Sequence, residues 1–278
     1  MRNANQSRGE HFRAALRGRA AAYAFVLGGS AAFLVGAWQR SPLLMVGLPI
    51  AVVLIVIGVA YRWAERKAED EFFQTFATTR GLAHWPRYDL PTYTPLLGAE
   101  DRRHFEHWME GRLDDDPPLN GGFGRFIAER VERDRDGGEA KVQVLRMTVG
   151  VVDVESALWR YHGVYLRPRR GLFEASGDWL HGRRTRKVEL ESTRFTERYE
   201  LRIADDQDEV DLRRLFTPSL IAWFAEHPLA PGLELKGGTL VVFVMRALED
   251  DGNLTFFLDA MRHVGARVVT EASETLPA

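Results

Sequence analysis

The chain of 278 residues contains no cysteine. This absence excludes disulfide bonds, a cysteine nucleophile and metal sites built from thiolates, and it fits a reducing compartment. The sequence also lacks a Gly-x-Ser-x-Gly nucleophile motif and a phosphate-binding loop that ends in Lys-Ser or Lys-Thr. It therefore predicts no catalytic residue, no cofactor and no metal site.

Two stretches near the N-terminus lack charged side chains altogether. They cover residues 20–39 and 42–61, and Arg40 lies between them. Each has about twenty residues, and a helix of that length spans the ~30 Å hydrocarbon core of a bilayer. A charged side chain at the centre of a membrane helix costs roughly 2.5–3.5 kcal/mol, so its absence favours insertion. We expect a two-helix transmembrane hairpin over residues 20–62.

Positive charge is concentrated outside the two predicted spans. Residues 1–62 carry seven arginines and one glutamate, a net charge of +6, and Arg40 alone lies in the connecting loop. Arg62, Arg66 and Lys67 follow the second span. Because positive residues flank the cytoplasmic ends of membrane helices, both termini are predicted in the cytoplasm. The predicted topology crosses the plasma membrane twice.

A cleaved signal peptide is the alternative reading of the first apolar stretch. That stretch is longer than a usual signal core, and Trp38 and Arg40 stand where small residues would mark cleavage. An uncleaved hairpin is therefore favoured. Gly28, Ala32 and Gly36 form a row of small residues on one helix face, which predicts close packing within the hairpin or a homo-oligomer.

The chain after residue 62 is acidic. It carries 30 lysines and arginines against 38 aspartates and glutamates, a net charge of −8. A nucleic-acid-binding surface needs basic side chains to neutralise phosphates, so no nucleic-acid partner is expected.

The hydrophobic pattern divides the chain into four parts. Residues 1–19 form a basic cytoplasmic segment, which is followed by the hairpin over 20–62. Residues 63–98 predict a stalk helix and then a proline-rich linker. Residues 99–278 are dominated by alternating apolar and polar positions and predict a cytosolic domain.

Within that domain, strands alternate with a few helices. Asp136-Gly137 lies between two long alternating runs and predicts a β-hairpin. Helices are predicted over residues 209–227 and 254–264, with Asn253 as the N-cap of the second. The predicted fold class is α+β, a mainly antiparallel sheet with two or three helices.

Two groups of polar residues are candidates for a metal-binding or catalytic site. His104 and His107 are three residues apart on a predicted short helix, and two imidazoles at that spacing can share a metal. No third ligand accompanies them, which favours surface histidines without a role. Asp205 and Asp206 precede a predicted helix, where carboxylates complement the helix dipole. Capping therefore explains them better than acid–base catalysis does.

Two basic segments stand out in the acidic domain, and a hairpin could join them into one patch. Such a patch would bind anionic lipid at the cytoplasmic leaflet or an acidic protein partner, at about 1 kcal/mol per charge near the membrane. Ordinary solvated charges paired with nearby glutamates are the alternative. The patch residues are Arg160, Arg167, Arg169, Arg170, Arg183, Arg184, Arg186 and Lys187.

Several short blocks resemble a known group of proteins. They are VELESTRF at 188–195, YELRI at 199–203, DDQ at 205–207, LFTP at 215–218 and YHGV at 161–164. In these blocks the chain resembles a bacterial family of uncharacterised membrane-anchored proteins. The resemblance implies a two-helix N-terminal hairpin and a soluble α+β domain, with no catalytic residue or substrate. The chain departs from that pattern in its arginine-rich insert around 167–186.

These observations predict an integral membrane protein that anchors a cytosolic binding or scaffolding domain. Its expected partners are the lipid bilayer and a cytosolic or membrane protein, or anionic lipid. The alternative is a membrane-tethered, hydrolase-like enzyme that uses Asp205 and Asp206, or His104 and His107, in a cleft. A deep pocket with converging carboxylates and histidines would favour the enzyme, and an open sheet face with exposed aromatics would favour the binding domain.

Overall fold

The computed structural model contains two compact units, which cover residues 1–76 and 77–278. The first unit holds the N-terminal helices, and the second holds a large β-sheet. The boundary between them falls inside a helix that ends at Thr79. The residues that the structure describes are 19–38, 42–91, 94–98, 102–133, 139–169 and 184–274.

The first unit consists of helix α1 (Arg19–Trp38) and most of helix α2 (Pro42–Thr79). Pro42 begins α2, where the missing N–H has no helical partner to lose. The predicted second span and the predicted stalk helix are therefore one continuous helix. The two helices approach closely at Gly28, since a Cβ atom placed there would lie 2.9 Å from Cγ1 of Val52.

One helical segment in the described part of the chain is long and apolar enough to cross a membrane. It is Val46–Thr79, within α2. A membrane anchor is supported by this segment, whereas a second crossing through α1 stays a prediction. The contact at Gly28 lies between α1 and α2. A contact between copies through Gly28, Ala32 and Gly36 also stays a prediction, and at Ala32 and Gly36 the structure describes the helical backbone alone.

The second unit is built on an antiparallel sheet of nine described strands. Their order is β1-β2-β3-β4-β9-β8-β5-β7-β6, and every neighbouring pair is antiparallel. The strands are β1 (Ala83–Tyr88), β2 (Arg102–Asp115), β3 (Pro118–Arg133), β4 (Glu139–Asp153), β5 (Val164–Pro168), β6 (Thr185–Val188), β7 (Tyr199–Ala204), β8 (Gly232–Lys236) and β9 (Thr239–Val244). The predicted α+β class and the predicted β3–β4 hairpin are confirmed.

Four helices accompany the sheet in the described part of this unit, more than the two or three predicted. They are α3 (Thr193–Arg198), α4 (Glu209–Leu215), α5 (Pro218–Glu226) and α6 (Asp251–Ser273). Helix α6 packs on one face of the sheet, where the rings of Phe123 and Phe257 are 5.9 Å apart. Gly150 on β4 makes room for Met261 of α6, whose sulfur would lie 2.3 Å from an added Cβ.

The opposite face of the sheet carries an apolar cluster covered by a short turn at residues 94–98. Leu96 and Leu97 of this turn are buried, and the Leu96 N–H donates a 2.9 Å hydrogen bond to the buried Glu234 carboxylate of β8. This bond fixes the turn against the sheet. The cluster contains Leu96, Leu97, Phe105, Trp108, Phe126, Ala128, Met147, Val149, Val241 and Phe243.

The short helix predicted around His104 and His107 is wrong, because both residues lie in strand β2. The register between β2 and β3 shifts between Glu106 and Met109, and His107 there has a φ of 51°. A bulge of this kind inserts one extra residue and breaks the alternation of apolar and polar positions. The period-2 signal of a strand is therefore lost at this point.

The helix predicted over residues 209–227 is two helices. Thr217 is the N-cap of α5 and accepts a hydrogen bond from the N–H of Leu220, while Pro218 takes the first helical position. Proline disfavours the helical conformation of the residue before it, so α4 ends and α5 begins anew. The last helix also begins earlier than predicted, because Asp250, and not Asn253, is its N-cap.

Residues 83–88 form an edge strand although they overlap the predicted proline-rich linker. Pro86 is compatible with this position, because an edge strand has one side without ladder partners. The proline also removes an N–H that another chain could pair with.

Candidate binding groove

An open groove of about 830 Å³ lies at one end of the sheet. It is lined where β2 and β4 end, where β3 begins and where β8 turns into β9. Leu90, Trp108, Val151 and Leu158 contribute apolar side chains to it. Trp108 also belongs to the apolar cluster under the 94–98 turn, so the groove continues the face that this turn only partly covers.

Glycine residues allow side chains and backbone to approach closely in the groove. A Cβ atom on Gly122 would lie 2.5 Å from Cζ2 of Trp108, so the indole ring rests against the bare backbone of β3. Gly237 and Gly238 form the two-residue turn between β8 and β9 with φ values of 60° and 73°. Positive φ at both positions is typical of a tight hairpin turn, which brings this backbone to the groove.

Two tryptophan side chains hold Glu110 beside the groove. Its carboxylate accepts a hydrogen bond of 2.7 Å from Nε1 of Trp108 and one of 3.1 Å from Nε1 of Trp85. Trp85 and Trp108 face each other across β1 and β2, and Tyr88 stacks on Trp108 at 5.4 Å. The position of this carboxylate is therefore fixed by two indole donors.

The charged groups of the groove are mainly acidic. Glu110, Asp153 and Glu155 line it, and Asp153 accepts a 3.0 Å hydrogen bond from the N–H of Glu155. Arg112 is the opposing cation in the lining, and its guanidinium lies 2.7 Å from the carboxylate of Asp115. The described lining therefore contains three carboxylates and one cation, and that cation contacts a carboxylate outside the lining.

Large apolar side chains are exposed at and near this groove. Leu158, in the groove lining, is 49% exposed, and Trp85, which bonds to Glu110, is 47% exposed. Trp159 follows Leu158 and is 47% exposed. Exposed apolar groups grouped beside a groove are typical of a surface that binds another molecule.

The candidate catalytic residues, two histidines and two aspartates, do not form one site. His104 lies 3.8 Å from Glu106, whereas the ring of His107 stacks on that of His84 at 5.7 Å. Asp205 and Asp206 are exposed in the turn after β7. The histidines lie in β2, and the aspartates follow β7. Five strands lie between β2 and β7 in the sheet, so these two strands are about 29 Å apart at ~4.8 Å per strand.

Arg160, the first member of the predicted basic patch, is buried. It is 2% exposed, and its Nε donates a 2.9 Å hydrogen bond to Asp211 of α4. It also donates to the backbone carbonyl of Glu271 in α6. Arg160 therefore joins helices in the interior and takes no part in an exposed basic surface.

The other described members of the patch are spread over two faces. Strand pairing places Arg167 opposite Glu200 and Lys187 opposite Arg202 on one face of β5-β7-β6, and Arg186 on the other. Arg169 donates to the carbonyl of Tyr199, and Arg184 is exposed. Arg170 and Arg183 lie outside the described residues.

Lys187 and Arg186 each contact a carboxylate. Lys187 lies 2.7 Å from Glu189, and its hydrogen bond holds the pKa of that carboxyl below the ordinary value. Arg186 lies 3.0 Å from Glu209, where hydrogen bonds from Arg186 and Arg213 lower the pKa of that carboxyl. Binding of anionic lipid through this region stays a prediction.

Comparison with known proteins leaves the family of the chain open. No family model matches it, and no curated protein matches it. Among solved structures, it is similar to the crystal structure of the mycobacterial trehalose monomycolate transport factor A, TtfA, at 11% sequence identity. The TM-score is 0.45, and the match covers 75% of this chain and 96% of that one. A likeness of this size carries no conclusion about function, and the predicted family stays a prediction.

Proposed function

We propose that this protein is a membrane-anchored binding protein whose α+β domain holds a segment of another protein in the groove beside Trp108. The observation that carries the proposal is the open groove with exposed apolar side chains at and near it. Removal of apolar surface from water contributes roughly 25 cal/mol per Å². A partner that covers Leu158 and its neighbours would therefore gain affinity from contacts that the isolated domain leaves to solvent.

The anchor in this proposal is a two-pass hairpin in the bacterial inner membrane. The apolar segment Val46–Thr79 supports one crossing. Residues 20–38 supply a second uncharged stretch, and the arginines at both outer ends favour cytoplasmic termini. The domain would then meet its partner at the cytoplasmic surface.

Photocrosslinking in the native membrane tests the binding role directly. A photoreactive amino acid replaces Leu158 in the groove of the full-length protein, and in a matched control it replaces Val210. Val210 is an exposed apolar residue of α4 that does not line the groove. The expected result is a discrete adduct with one protein from Leu158 and none from Val210. Identical adducts from both positions, or none from Leu158, would refute the proposal.

A further inference from the structure

The proposed function leaves open which kind of segment the groove accepts. We propose that it selects a segment in which a lysine or arginine is flanked by apolar side chains. This inference rests on the groove being the binding site. Its basis is the combination of apolar walls with three carboxylates against one cation in the described lining, Arg112, which contacts Asp115.

The carboxylate of Glu110 is held ready to accept a further hydrogen bond. Each of its oxygens accepts one indole N–H, from Trp85 at Oε1 and from Trp108 at Oε2. A carboxylate offers about four lone-pair positions, so both oxygens retain capacity for an ammonium or guanidinium donor. Hydrogen bonds between charged groups are about twice as strong as neutral ones.

Asp153 and Glu155 extend the negative charge along the groove. Both side chains are exposed, and the Asp153 carboxylate accepts the N–H that begins the short 3₁₀ turn Glu155–Ala157. Leu158 follows this turn directly. The aliphatic stem of a lysine or arginine can lie along such apolar surface while its charged end reaches the carboxylates.

Charge complementarity therefore decides between possible occupants. An anionic group, such as a phosphate, would meet three carboxylates in the groove, and Arg112 already contacts Asp115. Like charges brought together in this way oppose binding. An apolar segment without charge would leave Glu110 with no cationic partner. A segment with both features matches the whole lining.

Three short synthetic peptides test this selectivity on the full-length protein in phosphatidylcholine nanodiscs. Their sequences share Gly-Ser-Leu-x-Leu-Ser-Gly, where x is lysine, acetyl-lysine or glutamate. Acetylation removes the charge and retains the aliphatic stem, so the first two peptides differ chiefly in charge. We expect the lysine peptide to bind about fivefold more tightly than the acetyl-lysine peptide, and the glutamate peptide to bind weakest.

Matched protein variants locate the effect. The double variant Asp153→Asn with Glu155→Gln removes two charges, and an asparagine oxygen can still accept the N–H of residue 155. The control Asp205→Asn with Asp206→Asn removes two exposed charges far along the chain from the groove. We expect the first variant to weaken binding of the lysine peptide about threefold and to reduce its preference over the acetyl-lysine peptide, since Glu110 remains, and the second variant to change neither.

The outcomes separate this inference from the proposed function. Equal binding of all three peptides, no binding of any, or the same loss in both variants would overturn the selectivity for a cation. A specific adduct at Leu158 would still support a binding groove in those cases. Absence of that adduct would instead refute the groove itself.

Discussion

At the scale of single residues, an ion pair between a buried arginine and a partly buried aspartate connects the sheet domain to its helices. The Arg160 side chain is fully buried, and its Nη2 atom lies 2.8 Å from Oδ1 of Asp211 in α4. Tyr161 is buried beside it, and this burial raises the pKa of its hydroxyl to about 12. A buried cation requires its partner, because an uncompensated charge in the interior is strongly destabilising.

Replacement of Asp211 by alanine should therefore lower the free energy of unfolding by about 3 kcal/mol. Urea unfolding of the solubilised full-length protein, followed by tryptophan fluorescence, measures the change. The control is Asp205→Ala, an exposed aspartate, for which a change within about 0.5 kcal/mol is expected. Equal effects of the two substitutions would show that the ion pair contributes nothing beyond a surface charge.

Through His227, the free energy of unfolding of the domain depends on pH. Burial, assisted by the nearby Arg198 charge, lowers the pKa of this imidazole from 6.5 to about 4. Between these values the unfolded chain binds a proton that the folded chain does not, so the free energy of unfolding falls as the pH drops from 6.5 to 4. Burial also lowers the pKa of His263, whose ring likewise contacts that of Trp223.

The variant His227→Asn should reduce this pH dependence. Asparagine offers an oxygen in place of Nδ1, which accepts a 3.3 Å hydrogen bond from the N–H of Leu229. Unfolding midpoints in urea at pH 6.5, 5.5 and 4.5 provide the measurement. His162→Asn, at an exposed histidine, should leave the wild-type dependence intact. A wild-type slope in the His227 variant would contradict the account.

At the scale of secondary-structure elements, the shape of the groove depends on the close approach of β2 and β3. The Trp108 ring of β2 occupies the space that a side chain at Gly122 of β3 would need. The same ring donates to Glu110 and stacks on Tyr88 of β1. One glycine thus sets the position of the ring that forms the groove wall.

Gly122→Ala should displace Trp108 and lower the free energy of unfolding by about 1–3 kcal/mol, the usual cost of an overpacked interior. Thermal unfolding and the indole N–H resonances in NMR spectra report the two effects. As a control, Gly252→Ala in the first turn of α6 meets only the Asp250 carboxylate at 3.5 Å and should be nearly neutral. An unchanged Trp108 resonance in the first variant would refute this role of the glycine.

The elements that sequence patterns could predict are those with an uninterrupted period. β3 and β4 alternate over their length around Asp136-Gly137, and their hairpin is confirmed. The sequence pattern does not predict β2, because the bulge at His107 interrupts its alternation. Phe105 and Trp108 lie in one cluster although they are three residues apart. The apolar residues on both sides of Thr217 continue one helical period, so the pattern predicts a single helix where the structure has α4 and α5.

At the scale of the whole molecule, the groove could not be predicted from sequence. Its lining comes from the ends of β2 and β4, the start of β3 and the turn between β8 and β9, which only the strand order brings together. Gly121 and Gly122 lie within β3, although two successive glycines are typical of a turn or loop. The apolar segment Val46–Thr79, in contrast, is continuous in the sequence, so composition alone predicts the membrane anchor that this segment supports.

The most direct test of a membrane-anchored domain in the cytoplasm uses the absence of cysteine. Leu158→Cys places one thiol in the groove, and Ser41→Cys places one in the predicted loop between the spans. Both variants are treated with a membrane-impermeant maleimide in intact cells and after permeabilisation, and the membranes are then washed with alkaline carbonate. We predict that Ser41→Cys reacts in intact cells, that Leu158→Cys reacts only after permeabilisation, and that both stay in the membrane pellet. Labelling of Leu158→Cys in intact cells, or its release by carbonate, would contradict the account.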